Sequence, residues 1–257
     1  MRILIIPGLF LLLACGQAGG NSIPSAHTPV NPEVNKDYAS ISEIPPPGGF
    51  VRVSVSPESF PAWLRTLTLK KDNRVFLYDG TLKRNQSAQF AVLDIPVGKK
   101  DLQQCADVVM RLRAEYLFAQ RKYGEIAFMD YNGKWYRWEG GADRIKFESY
   151  LATVFGWCGS ASLEKQLKPV SNSNEMQAGD VFVKGGFPGH AMIVVDMAIN
   201  EKGEKVFMLV QGYQPAQDIH IVKNPLDAGL SPWYELKDLN ELVTPEWRFL
   251  KDQLRKW

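Results

Sequence analysis

Three side chains in this sequence are of types that can do covalent chemistry together: the thiol of Cys105, the imidazole of His190 and the carboxamide of Gln211. A thiol becomes a nucleophile when it ionises, and the first turn of a helix favours that, because free backbone N–H groups and the helix dipole face it. Cys105 stands in such a turn. Asp101 can cap a helix there with Gln104 as its capping-box partner, and Leu102, Cys105, Val109, Leu112 and Tyr116 recur on one face at helical spacing. An imidazole titrates near neutrality and can take the proton of the thiol. His190 opens an apolar strand after Pro188-Gly189, and Gln211 or His220 is placed to orient its ring. Cys105 also lies on the apolar stripe of its helix, so a packing role stands beside the nucleophilic one. Cys158 sits near the C-terminal end of another helix, where the dipole disfavours a thiolate.

The elements that must hold these groups are read from pattern and punctuation. Residues 178–211 form three consecutive strands joined by glycine-rich turns, with Asp180 opening the first and Gln211 closing the third, and residues 219–222 continue the sheet. Earlier, 50–55 alternates as a strand. Ser56 as N-cap and Pro57 at the first helical position predict a short helix through Trp63-Leu64-Arg65. Residues 75–78 and 90–95 read as strands. Asn132-Gly133 between 127–131 and 134–138 predicts a hairpin carrying Trp135, Tyr136 and Trp138, whose rings pack in the core or stack on glycan. Helices are expected over 147–157 and 162–167, and the tail from 231 to 257, with three tryptophans, is expected to wrap the fold. The expectation is one α+β domain over 48–257, an antiparallel sheet packed against helices.

The first residues are not fold. Met1-Arg2 and the apolar run that follows read as a signal peptide over 1–14, too short to span a bilayer as a mature helix. Leu12-Leu13-Ala14-Cys15 resembles the lipobox of bacterial lipoproteins, which implies cleavage before Cys15 and acyl chains on that residue. Gly16-Gln17 lacks the Asp that retains such proteins at the inner membrane in enteric bacteria, so the resemblance implies a cell-envelope protein at the outer membrane rather than the inner. Residues 15–47, rich in Gly, Ser, Asn and Pro, are expected to form a flexible tether.

Net charge is +2, from 30 basic and 28 acidic residues, which gives no electrostatic footprint for nucleic acid. The histidines are His27, His190 and His220, with no His-x-x-x-His or Cys-x-x-Cys spacing. His190 and His220 with Asp180 or Asp196 could surround a metal, but nothing in the spacing demands it, and neither a metal nor another cofactor is expected. No phosphate loop, dinucleotide fingerprint or Gly-x-Ser-x-Gly is present. Cys105 and Cys158 are left as a bridge or two free thiols.

The order of Cys on a helix, His opening a strand and a polar residue on the next strand resembles papain-like peptidases, most nearly the NlpC-like and CHAP cell-wall peptidases and amidases. Gly179-Asp180-Val181-Phe182 and His190-Ala191-Met192-Ile193-Val194 carry that likeness. It implies Cys105 as nucleophile, His190 as base and Gln211 as its orienter; in the enzyme reading, Gln86 or helix-start N–H groups stabilise the oxyanion and cell-wall peptides are the partners. Ala106-Asp107 follows Cys105 where those enzymes have Ser-Gly. Other stretches, including 75–80, Asn85-Gln86, 91–94, 101–117, 188–191 and Asn224-Pro225, resemble a family of bacterial lipoproteins known as domain of unknown function 4846. That likeness implies a shared pattern for the Cys105 helix and the His190 strand, and no activity. A lipid-anchored thiol peptidase or amidase is one expectation; a non-catalytic lipoprotein that binds peptidoglycan, glycan or a partner protein is the other.

Overall fold

The computed structural model describes residues 38–237 and 240–257. Cys15, the expected signal peptide over 1–14 and most of the expected tether lie outside the described residues. The tether ends earlier than composition suggests: Ile41 and Ile44 are fully buried, and the Leu69 N–H donates to Ala39 O at 2.9 Å. The two isoleucines enter the core while Ser42, Glu43 and Pro45 stay exposed and Pro46 and Pro47 are half-buried.

In chain order the elements are β1 (Phe50–Arg52), α1 (Phe60–Arg65), β2 (Gln89–Val92), α2 (Cys105–Ala119), β3 (Ala127–Met129), β4 (Trp135–Arg137), α3 (Arg144–Trp157) and α4 (Ser160–Gln166). There follow β5 (Lys168–Pro169), β6 (Val181–Lys184), β7 (His190–Asn200), β8 (Lys205–Gln211), β9 (His220–Val222), β10 (Tyr234–Glu235), β11 (Glu241–Val243), β12 (Arg248–Leu250) and β13 (Leu254–Lys256). The main sheet is antiparallel, in the order β2-β9-β8-β7-β6-β13-β5, with β1 on β7 and β10 on β8. No helix among the described residues is long and apolar enough to cross a membrane.

Strand β7 is the axis. Residues 190–198 are all buried, because both faces of the strand are covered. Ala191, Ile193 and Val195 pack with α2 and the other helices; Met192 and Val194 pack with the tail, through Phe249, Leu242 and Leu254. The tail from Tyr234 on therefore closes the second face of the sheet, whereas Trp233 packs in the helix-side core and its Nε1 donates to Pro45 O at 2.9 Å.

The β7–β8 register slips between Val194 and Asp196, so Val195 is an extra residue. A bulge of this kind points two successive side chains to one side. It delivers the fully buried Asp196 carboxylate to Arg52 Nε at 2.7 Å and Arg65 Nε at 2.6 Å, which ties β1 and α1 to the sheet.

Local signals moved some boundaries. The short first helix is capped by Ser59, whose Oγ accepts the Ala62 N–H at 3.3 Å, and not by Ser56; starting there puts Phe60 and Leu64 on the buried side. Residues 75–78 make only single bridges, because the Asp79-Gly80 turn reverses the chain after two residues. The Asn132-Gly133 hairpin is present as β3–β4, with Gly133 at φ 89°. Trp138 is buried edge-on to Phe147, with centroids 5.4 Å apart, while Trp135 is exposed.

Removing one partner of a buried charge network leaves the others uncompensated. Asp196→Ala strands two arginines and should lower the urea-unfolding free energy by about 3–5 kcal/mol; a loss below about 1 kcal/mol would show that Arg52 and Arg65 find water instead.

Candidate active site

Helix α2 begins at Cys105 itself. Gln104 is the N-cap, and its backbone N–H donates to Asp107 Oδ2 at 2.9 Å. Asp101, the expected cap, stands outside, where Oδ1 accepts from Gln104 Nε2 at 2.9 Å and from the Ala216 N–H at 2.7 Å. The thiol is thus at the first helical residue. The N–H groups of Cys105, Ala106 and, from the start of β7, Ala191 all favour its charged form.

Two glycines bring the walls this close. A Cβ on Gly212, the residue after Gln211, would lie 2.6 Å from Val108 Cγ2 and 3.1 Å from Gln104 O. A Cβ on Gly189, before His190, would lie 2.4 Å from Ser160 Oγ. Backbone therefore packs directly against the start of α2 and of α4. Cys105, His190, Tyr213 and Trp247 line one cavity of about 710 Å³, which also reaches Asp107, Cys158 and Ser160.

His190 extends from the tail side of the sheet, opposite the face that carries α2. The Ile193–Val210 register places Gln211 across from Met192 and diagonal to His190, and Gln211 pairs with His220. His190 Nε2 and Gln211 Oε1 are 3.0 Å apart; Gln211 Nε2 lies 3.0 Å from His220 Nε2 and 2.8 Å from Glu246 Oε2. Glu246 also accepts from Lys83 Nζ at 2.5 Å and Asn85 Nδ2 at 3.1 Å.

These contacts assign every proton. A carboxylate only accepts, so the Gln211 atom facing Glu246 is the amide nitrogen. That nitrogen donates to His220 Nε2 as well, which makes His220 Nδ1 the protonated nitrogen, donating to Asp218 O at 2.9 Å. Gln211 Oε1 must then accept from His190 Nε2–H. The Nδ1 of His190 is left with its lone pair, the form a general base needs.

Burial governs the charges. It pushes the Cys105 thiol up to about 11, a rise reinforced by Asp107 and only partly offset by the Ala191 N–H. It pulls His190 down to about 4, against the Gln211 bond and Glu246; Tyr213 and Trp247 lie 4.9 and 5.1 Å from its ring. His220 is held neutral for the same reason. Burial alone would raise the Glu246 carboxyl, but Lys83, His220 and Asn85 hold it below its ordinary value. Asp107, nearly fully buried, is raised well above the usual carboxylate range, and its Oδ1 has no hydrogen-bond partner among the described residues. At neutral pH Cys105 is a thiol and His190 a neutral imidazole; they share the cavity lining, and no hydrogen bond joins them among the described residues.

Of the other residues read from sequence, His220 belongs to the site one step back, bonded to Gln211 rather than to His190. Gln86 does not: its Nε2 donates to Val75 O and Lys83 O at 2.9 and 2.7 Å, bracing a loop, so both amide hydrogens are taken. Asp180 faces a different cavity and its Oδ2 accepts the Gln177 N–H at 2.9 Å. Cys158 is a free, buried thiol in the Cys105 cavity, pushed up to about 12 by burial, Asp130 and Asp107. Among the described residues no group of three or more His, Cys, Asp and Glu could hold a metal. Glu246, Lys83 and Tyr213 were not foreseen, since no spacing links them to His190.

A family described as "Domain of unknown function (4846)" matches residues 41–144 and 134–256. The chain belongs to that family. No curated protein and no solved structure matches it.

Between about pH 6.5 and 4 the unfolded chain binds a proton at residue 190 that the folded protein refuses. Stability must therefore fall as pH drops through this window, by up to about 3 kcal/mol from this ring. Urea unfolding from pH 7 to 4 should show a steeper loss for wild type than for His190→Leu; equal slopes would mean that the ring is already solvated.

Proposed function

We propose that this domain is a papain-like, thiol-dependent peptidase or amidase, carried by a lipid-anchored protein of the cell envelope and acting on cell-wall peptides. One observation carries the reading: His190 is held by Gln211 through Nε2, its Nδ1 lone pair is free, and it shares a cavity with a thiol at a helix start. Helix, strand and neighbouring strand contribute these groups in the order Cys, His, carboxamide.

In this mechanism the Cys105 proton passes to His190 Nδ1 as the sulfur forms a bond to the substrate carbonyl carbon. The carbonyl oxygen takes up the charge and accepts from the Cys105 backbone N–H, a helix-start donor with no carbonyl four residues behind it. The carbon–nitrogen bond then breaks, and His190 returns the proton to the departing amine. Water, deprotonated by His190, hydrolyses the thioester and regenerates the thiol. From about 11 for the thiol to about 4 for the imidazole is roughly 7 pH units, or about 10 kcal/mol against the ion pair before the two charges attract each other. A cost of that size favours proton transfer in step with attack over a standing thiolate.

A second reading, a non-catalytic module binding peptidoglycan, glycan or a partner protein, draws on Tyr131, Trp157 and Phe187, exposed aromatic rings around the same cavity. Large exposed rings at a concave site are typical of ligand contact.

Purified wild type should release fragments from cell-wall peptides, and Cys105→Ser and His190→Ala should each lower kcat/KM by at least about 1,000-fold. Turnover that survives in Cys105→Ser overturns the mechanism. Retention on peptidoglycan by wild type and Cys105→Ala alike, with no cleavage by either, selects the binding module. For the anchor, cells fed an alkyne-bearing fatty acid should label wild type in the membrane fraction and not Cys15→Ser; equal labelling would remove the lipid from Cys15.

A further inference from the structure

A second cavity, of about 820 Å³, lies between the end of β1, the start of α1, the residues leading into β6 and the last residues of β13. It shares no lining residue with the Cys105 cavity. Arg113 lines it, eight residues along α2 from Cys105, or about 12 Å of helix rise.

The guanidinium of Arg113 is held by aromatic faces alone: its Cζ lies 5.1 Å from the Phe60 centroid and 5.5 Å from those of Tyr116 and Trp257. The other half-buried arginines all meet oxygen. Arg52 and Arg65 share Asp196, Arg74 takes Asp72, Arg111 takes Pro96 O and Gln103, and Arg255 takes backbone carbonyls. Arg113 has no hydrogen-bond or ion-pair partner among the described residues. Burial pulls its pKa down, which marks a desolvated cation with no counter-charge strong enough to compensate. Three rings fix its plane, so the fork of donors is pre-oriented and empty-handed.

We propose that this second cavity binds the terminal carboxylate of a peptide-like ligand, with the Arg113 guanidinium as its anchor. A planar fork matches a carboxylate through two parallel hydrogen bonds. Lys205 and Lys256 in the same lining offset Asp180 and Glu175, so charge alone does not choose between phosphate and carboxylate; Phe60, Met176 and Trp257 offer apolar surface to an organic body, which favours a carboxylate carried on one. The site is independent of the chemistry proposed at Cys105.

Calorimetric titration of the purified protein with N-acetyl-alanyl-alanine, its C-terminal amide and inorganic phosphate tests this. The free acid should bind in the millimolar range or tighter, at least about tenfold more tightly than the amide or phosphate. Arg113→Met should lose that binding; should this variant not fold, Arg113→Lys, which keeps the charge without the fork, should weaken it several-fold. No binding by wild type, equal binding of acid and amide, equal binding of phosphate, or unchanged affinity in the folded Arg113 variant overturns the proposal. Cysteine-dependent cleavage is read separately in Cys105→Ser, so failure of either site is seen without the other.

Discussion

The orientation of one carboxamide organises the centre of this protein. Gln211 has a donor end and an acceptor end, and the charge of Glu246, together with the Asp218 carbonyl that takes the His220 Nδ1–H, decides which faces which way. With the nitrogen turned to Glu246 and His220, the oxygen is committed to His190, and the imidazole is obliged to carry its proton on Nε2. Glu246 in turn keeps its charge because Lys83 and Asn85 surround it. The state of a ring on β7 is thus set from the loop before β2 and the turn between β11 and β12, through contacts that never touch the ring. Buried polar chains of this kind are worth having only when every member is satisfied, and here each of the four side chains from Lys83 to His190 has its partner.

At Cys105 two effects oppose each other and their sizes decide the outcome. A helix start contributes at most about 2 kcal/mol toward an anion. Burial beside a raised Asp107 outweighs it, and the thiol ends above its ordinary value. The helix supplies position and backbone donors more than charge. That division of labour suits a site where the glycines at 189 and 212 let the strand ends approach the starts of α4 and α2 closely.

Strand alternation, the glycine turns and the Asn-Gly hairpin were legible because they are written within a few residues. So were α2 and the three-strand run from Val181 to Gln211, where apolar period and punctuation agree. The match of His190 to Gln211 was legible as chain order, since the end of one strand and the start of its antiparallel neighbour must lie at the same edge. What could not be read is long range. Glu246 sits 35 residues beyond Gln211 and 163 beyond Lys83, and is an unremarked acid in a Pro-Glu-Trp turn until the tail folds over the sheet. Gln86 and Asp180 stand apart from the Cys105 cavity for the same reason: each has the right chemistry and the right neighbours in sequence, but the sheet turns Asp180 toward another cavity and the loop takes up both amide hydrogens of Gln86. Ser56 lost to Ser59 by three residues because two serine-proline signals overlap and only burial of Phe60 chooses between them.

The slip at Val195 has a consequence for how the chain can vary in length. A strand is a two-phase signal, and an unpaired residue is a phase shift of one. Upstream of it, His190, Met192 and Val194 face the tail; downstream, Asp196 and Ala198 face the helices. Excising Val195 would restore strict alternation while leaving both ends of the strand facing as they do now. With the bulge kept, adding or removing a residue elsewhere in β7 would turn one end over, exchanging the face of the imidazole or that of the Asp196 anchor. Val195 is thus the residue of β7 whose deletion is silent in phase while every side chain around it keeps its face.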